Sequence, residues 1–230
     1  MNIAIIPARG GSKRIPHKNI KLFCGKPIIA WSIEAAKKSN LFDRIIVSTD
    51  DPGIAKVSEE YGAEVPFVRP ANLADDYATT FAVIAHAANW AIKHYPRTQA
   101  ICCMYAASPF IQTQDLELGE KNVNLDGWKY SFPVTEYASS IYRSLKINKN
   151  GGMSMLYPDN AETRTQDLPA AFHDVAQFYW GKLESWLVEP EDFYEDAKPI
   201  IIPRWRVQDI DTLDDFRRAE IIAASILKNI

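Results

Sequence analysis

Residues Asn2–Pro7 form a continuous apolar run that opens directly into Ala8-Arg9-Gly10-Gly11-Ser12-Lys13-Arg14, continuing to Lys18-Asn19. Few folds accommodate that junction. A buried strand followed at once by a glycine-rich loop belongs to an open α/β sheet, whose ligands sit outside the carboxyl ends of the strands. The glycines let backbone amides come close to a phosphate, where a side chain would obstruct the approach. Arg9, Lys13, Arg14 and Lys18 place four cations within ten residues. At ~4 Å and an effective dielectric near 20, each cation–phosphate contact gives roughly 4 kcal/mol of gross Coulomb attraction before desolvation. That suits a triphosphate, and it suits charge developing on a pyrophosphate leaving group. Two other phosphate loops are excluded. Lys13 follows a serine instead of preceding one, so the pattern is not G-x-x-x-x-G-K-[ST], nor is it G-x-G-x-x-G. The plainer alternative is a solvated basic turn, and the strand in front argues against it.

The rest of the first half keeps a strand–helix rhythm. Residues 27–39 read as a helix with a proline near its first turn, 44–49 as a strand, 54–61 as a short helix and 64–68 as a third strand. Residues 77–95 form a long helix with Phe81, Ile84, Ala88, Ala91, Ile92 and Tyr95 along one face, and 100–105 a core strand. This predicts a doubly wound, mostly parallel, Rossmann-like α/β sheet. From about Ser139 the texture changes. Residues 139–147 and 152–156 read as a β pair around Lys149-Asn150-Gly151-Gly152. The core resumes at Phe178-Tyr179-Trp180, and residues 212–228 close the chain as an amphipathic helix. The expectation is a single domain over 1–230 with a small inserted lobe at 138–175.

Composition bounds the partners. With 47% hydrophobic and 24% charged residues the chain is an ordinary globular enzyme in make-up, and a net charge of −3 gives no reason to expect nucleic acid or a membrane surface. Three cysteines cannot pair completely, and the neighbours Cys102 and Cys103 would point to opposite faces of a strand. All three read as reduced thiols. With no signal-peptide pattern and no bilayer-spanning run, the expected location is the cytoplasm.

Near the end of the chain, Gln208-Asp209-Ile210-Asp211 offers a second chemical signal. In an extended segment Asp209 and Asp211 share a face while Ile210 meets the core. Two such carboxylates, about 7 Å apart along a strand, can share one Mg²⁺–triphosphate cluster, with waters and phosphate oxygens completing the octahedron. The competing reading makes them the start of the final helix. Thr212 and Asp215 already form a capping-box-like pair there, which leaves Asp211 without a capping task. His17, His86 and His94 have no ligand-like spacing.

The run I-I-P-A-R-G-G-S-K-R-I-P-H-K-N-I (residues 5–20) resembles the opening motif of the sialic-acid-type cytidylyltransferases, which make CMP-sugars. The resemblance implies that Arg9, Ser12 and Lys13, with the backbone of Gly10 and Gly11, meet the phosphates of CTP. Lys18 and Asn19 then approach the α-phosphate and nucleotide. Residues 68–76, V-R-P-A-N-L-A-D-D, resemble the family's R-P-x-x-L-A-x-D segment, which implies that Arg69 helps hold the cytosine. Asp76 and Thr79 read first as caps of the long helix. The family places a small hydroxyl residue near the nucleotide here, which makes Thr79 or Thr80 a candidate. Its Mg²⁺ ligands fall at Asp209 and Asp211.

At the sugar end, Tyr105-Ala106-Ala107-Ser108-Pro109-Phe110 stands where sialic acid members read Q-P-T-S-P-L. Tyr105 replaces the sugar-touching glutamine and Ser108 is kept. A tyrosine–alanine pair is more usual in members that activate pseudaminic acid, so that sugar is expected ahead of sialic acid or 3-deoxy-manno-octulosonate. Residues 143–146 and 163–169, and Phe172-His173-Asp174 with Gln177-Phe178-Tyr179-Trp180, resemble the family's lobe. That lobe packs against the partner subunit's site and supplies positive groups near the sugar carboxylate. The resemblance therefore implies a homodimer, with Lys146, Arg164, Gln166, His173 and Gln177 at the sugar. Arg164 leads, because a guanidinium fork matches a carboxylate bidentately. The implied reaction is in-line attack by the anomeric hydroxyl of a nine-carbon 2-keto sugar acid on the α-phosphorus of CTP, with pyrophosphate leaving. Lys18 steadies the phosphate, and Asp211 or a metal-held water takes the proton. A catalytically inactive nucleotide-binding protein is the rival of another class. The joint presence of Lys13, Lys18, Asp209 and Asp211 argues against it.

Overall fold

The computed structural model describes residues 1–226. Its first strand, β1 (Asn2–Pro7), is buried on both faces and lies inside the sheet. After the glycine loop come a hairpin of β2 (Leu22–Phe23) and β3 (Lys26–Pro27), then α1 (Ile28–Ser39), β4 (Arg44–Ser48) and α2 (Pro52–Glu60). Next are α3 (Thr80–His94), β5 (Ala100–Met104), α4 (Thr113–Val123) and β6 (Tyr130–Glu136). A hairpin of β7 (Leu145–Ile147) and β8 (Met153–Met155) stands apart, and β9 (Phe172–Asp174), β10 (Phe178–Lys182), β11 (Ala197–Ile201) and α5 (Leu213–Ile226) complete the order.

Seven strands form the central sheet in the order β11-β6-β10-β5-β1-β4, with β9 pairing to β6. β1 runs parallel to β4 and β5, and β6 parallel to β11, while β9 and β10 run against them. The sheet is thus mostly parallel, as expected. Alternation along β1 and β5 divides the core. Ala4, Ile6, Cys102 and Met104 face Ile29, Ile33 and Leu116 of α1 and α4. Ile3, Ile5, Ile101 and Cys103 face Ile84, Ala87, Ala88 and Ala91 of α3. The neighbouring cysteines do point to opposite faces. A third cluster joins Ile15, Phe23 and Phe110 to Ile210 and Phe216 of the final segment, tying the loop after β1 to the C-terminal helix.

The structure departs from the sequence expectation in four places. Residues 64–68 are not a full strand: Glu64 bridges to Ile46 and Val68 to Thr49, while Pro66 between them has no N–H to donate. β6 and β11, absent from the sequence reading, each contain a proline, Pro133 and Pro199, the residue that demotes a run as a strand candidate. α4 was hidden by Gly119, whose missing side chain lets the helix lie against the fully buried Trp180. Finally, the sheet resumes at Phe172 with β9, inside the span expected for the lobe. The lobe itself holds the predicted hairpin, with Asn148 accepting from the N–H groups of Asn150 and Gly152 at 3.0 Å across its turn. α5 follows the predicted amphipathic helix, and its expected end at Lys228 lies outside the described residues. No described helix is long and apolar enough to cross a membrane.

Candidate active site

The loop leaving β1 is shaped by the start of α2. Asp51 caps that helix, accepting from Gly53 and Ile54 N–H at 2.7 and 3.0 Å. A Cβ on Gly10 would come within 2.7 Å of its carboxylate, so glycine is required there by packing as well as by any ligand. The Gly10 N–H donates to Asp50 at 3.0 Å. Space around Gly11 is open. Lys18–Ile20 form one 3-10 turn, and the Asn19 amide donates to the Arg9 carbonyl at 3.0 Å, so the two ends of the motif are pinned together.

The C-terminal segment closes the other side. Residues 207–211 are irregular rather than a strand, yet the expected division holds: Ile210 is buried and Asp209 and Asp211 meet solvent. Lys18 Nζ donates to the Ile210 carbonyl at 2.7 Å and lies 3.4 Å from Asp211, whose other oxygen is 3.0 Å from Arg14. Thr212 and Asp215 cap α5 reciprocally, at 2.8 and 3.2 Å, which leaves Asp211 to the cleft. Desolvation in the cleft and then the neighbouring Asp211 push the Asp209 carboxyl above the ordinary aspartate range, with Lys18 opposing. Among the described residues no three or more His, Cys, Asp or Glu side chains form a metal cage. A Mg²⁺ site needs no cage, because one or two carboxylates with phosphates and water suffice. Asp209 and Asp211, both open to solvent and both lining the same cleft, fit that role.

Between these walls lies a cleft of about 390 Å³, lined by Arg9, Arg14, Lys18, Asn19, Arg69, Asp76, Asp209 and Asp211 among others. Arg69 is buried, its Nε donating to Ser48 Oγ at 3.1 Å and Nη2 to the Ser48 carbonyl. Burial lowers its pKa to about 10. Asp76 is not a helix cap. It pairs with Arg9 at 2.8 Å and with Lys13, while Asp75 accepts from the N–H groups of Tyr77 and Ala78. Thr79 is the cap of α3, accepting from Ala82 at 3.1 Å. Thr80 is the threonine that lines the cleft. Ser12 stands on the loop between Gly11 and Lys13, outside the cleft lining.

A second cavity of about 420 Å³ abuts the first, sharing Thr80 and Tyr105. Its walls are Phe81, Tyr179, Trp186, Phe193 and Tyr194, with Asp174 and Glu189 as acids. Tyr105 OH lies 3.1 Å from Thr80 Oγ1, and burial raises its pKa to about 12. Ser108 lines the nucleotide side and donates to the Ala176 carbonyl at 3.1 Å. The remaining sugar candidates line neither cavity. Lys146 is exposed on β7, Arg164 pairs with Asp167 at 2.7 Å on the lobe, and Gln166 is exposed beside it. His173 packs its ring on Tyr137. Gln177 is buried, donating to the Arg206 carbonyl at 3.1 Å. The aromatic walls were missed because they come from separated segments. Tyr179 alone had a signal, since alternation between buried Phe178 and Trp180 turns it to the other face.

A mostly parallel sheet with a triphosphate-sized cleft at its strand ends, lined by four basic and four acidic side chains, is the architecture of a nucleotidyltransferase. The solved structure of CMP:2-keto-3-deoxy-manno-octonic acid synthetase complexed with CTP has the same fold, with a TM-score of 0.70 over 98% of this chain and 99% of that one at 16% identity. The chain belongs to the cytidylyltransferase family, whose model matches residues 3–178. It is 40% identical over 221 residues to the pseudaminic acid cytidylyltransferase of Campylobacter jejuni, covering 96% of this chain and 95% of the relative. It is 36% identical to a Helicobacter pylori protein named pseudaminic acid cytidylyltransferase and UDP-2,4-diacetamido-2,4,6-trideoxy-beta-L-altropyranose hydrolase, covering 97% of this chain and 42% of that protein. The N-acylneuraminate cytidylyltransferase A of Danio rerio is 32% identical over 79% of this chain and 41% of its own.

Proposed function

We propose that this chain transfers CMP from CTP to the anomeric hydroxyl of a nonulosonic acid, pseudaminic acid first among them, with release of pyrophosphate. The observation that carries the reading is the pair of abutting cavities, one lined by four basic and four acidic side chains and one aromatic, meeting at Thr80 and Tyr105. The first suits the nucleotide and the second the acylamino and methyl groups of a modified sugar acid.

Arg69 meets the cytosine, and Arg9 and Lys13 take the distal phosphates. Asp76 holds both cations in competition, so a triphosphate has to displace it. Lys18, fixed by the Ile210 carbonyl, presents its ammonium where charge develops on the α-phosphate. Asp209 and Asp211 would hold Mg²⁺, which supplies charge neutralisation at the phosphates. Asp211, engaged by Arg14 and Lys18, takes the proton of the attacking hydroxyl.

The protein acts as a homodimer in the cytoplasm. Leu145, Ile147, Met153, Leu156 and Phe172 expose an apolar surface on and beside the lobe that a second copy would cover, bringing Lys146, Arg164 and Gln166 towards the partner's sugar. The free cysteines fit a reducing compartment.

The test is incubation with CTP, Mg²⁺ and a panel of pseudaminic, sialic and 3-deoxy-manno-octulosonic acids, following pyrophosphate. Release with pseudaminic acid is expected. No release with any member would sink the transferase reading, and release with sialic acid alone would sink the choice of sugar.

A further inference from the structure

The strip from β9 to β10 separates the two cavities, and one carboxylate holds it. Asp174 Oδ1 accepts from the Ala176 N–H at 2.8 Å, and Asp174 Oδ2 accepts from the Tyr179 hydroxyl at 2.8 Å. Ala176 sits at φ 52°, in the left-handed region that a residue with a side chain rarely takes. It lines the nucleotide cleft, and its carbonyl accepts from Ser108, while the next carbonyl, of Gln177, accepts from the Tyr105 N–H at 2.9 Å. Asp174 and Tyr179 line the aromatic cavity on the other side. The ring of Tyr179 is packed by Tyr105, Phe132 and Phe193 at centroid distances of 5.5, 5.6 and 6.0 Å.

A phenol whose proton is committed to a carboxylate has only lone pairs left to offer. We propose that Asp174 is a positioning residue that fixes Tyr179 as a hydrogen-bond acceptor, so that the aromatic cavity selects a sugar acid bearing an N–H or O–H donor beside an apolar group. The same carboxylate fixes the left-handed turn, so the polarity of the sugar cavity and the wall of the nucleotide cleft share one anchor. Burial, then Tyr105 and the Asp174 charge, push the Tyr179 phenol well above the ordinary tyrosine range. The inference rests on the sugar acid occupying the aromatic cavity.

Asp174→Asn tests it. Asn keeps an oxygen for the Ala176 N–H, but its NH₂ donates to Tyr179, which reverses the phenol's polarity. The KM for the sugar acid should rise about tenfold, as for a buried donor left without its acceptor, while the KM for CTP moves less than twofold. Tyr179→Phe should give a similar rise, and the double variant should be no worse than either single one. If Asp174→Asn does not fold, Asp174→Asn with Ala176→Gly relieves the strained turn and carries the same comparison. Equal rises in both KM values, or additive effects in the double variant, would mean that Asp174 is merely structural and would overturn the inference alone. Wild-type protein inactive with every sugar acid would overturn the proposed reaction and this inference with it.

Discussion

The two cavities meet at Thr80 and Tyr105 but are assembled in different ways. The nucleotide cleft draws most of its charged side chains from two short stretches, residues 9–19 and 209–211, with Arg69 and Asp76 between them. The aromatic cavity takes walls from four places: α3, the end of β5, the β9–β10 strip and residues 186–194. Phosphate recognition needs backbone amides and cations in one loop, so it is local in sequence and hard to vary. A cavity for a sugar's substituents needs shape, which any surrounding segment can supply. The chemistry is therefore concentrated and the specificity dispersed.

Changes in the cleft should therefore strike turnover and CTP, and changes in the aromatic cavity should strike the sugar. The largest effect is expected for Asp209→Asn, which should cut kcat on the order of 10²- to 10³-fold with the fold retained by circular dichroism. Full activity in the variant would remove Asp209 from the reaction.

Next in size is Arg69→Met. Loss of a charged donor at the base should raise the KM for CTP about 10- to 100-fold and leave the KM for the sugar acid almost unchanged, measured by varying each substrate in turn. A larger effect on the sugar would break the assignment of the two cavities.

The smallest effect is expected for Asp76→Asn. Its pairs with Arg9 and Lys13 are largely solvent-exposed, so freeing the two cations should lower the KM for CTP only about two- to fivefold. The gain should shrink as salt is added. A raised KM would show that Asp76 assists the nucleotide instead of competing with it.

That Lys18, Asn19, Asp209 and Asp211 would share one cleft was legible in the sequence, because local backbone geometry and charge are encoded in spacing. The sequence is ambiguous where side chains have competing uses. Thr79 and Thr80 differ by one position, and only the observed start of α3 separates the cap from the cleft residue. Asp76 looked like a cap because its partners, Arg9 and Lys13, lie more than 60 residues away. Strands β6 and β11 were hidden by Pro133 and Pro199, which the sheet tolerates where the proline's missing N–H is not needed.

By itself the sequence determined the strand that opens into a cationic glycine loop, the alternation that splits Cys102 from Cys103, and the capping pair that leaves Asp211 free. All three depend on contacts within a few residues. The tertiary structure decided which face of β10 meets α4, that Asp174 grips both Ala176 and Tyr179, and that Lys18 reaches Ile210 across 192 residues. Those are long-range contacts, fixed only once the sheet order brings β5, β10 and the C-terminal segment side by side.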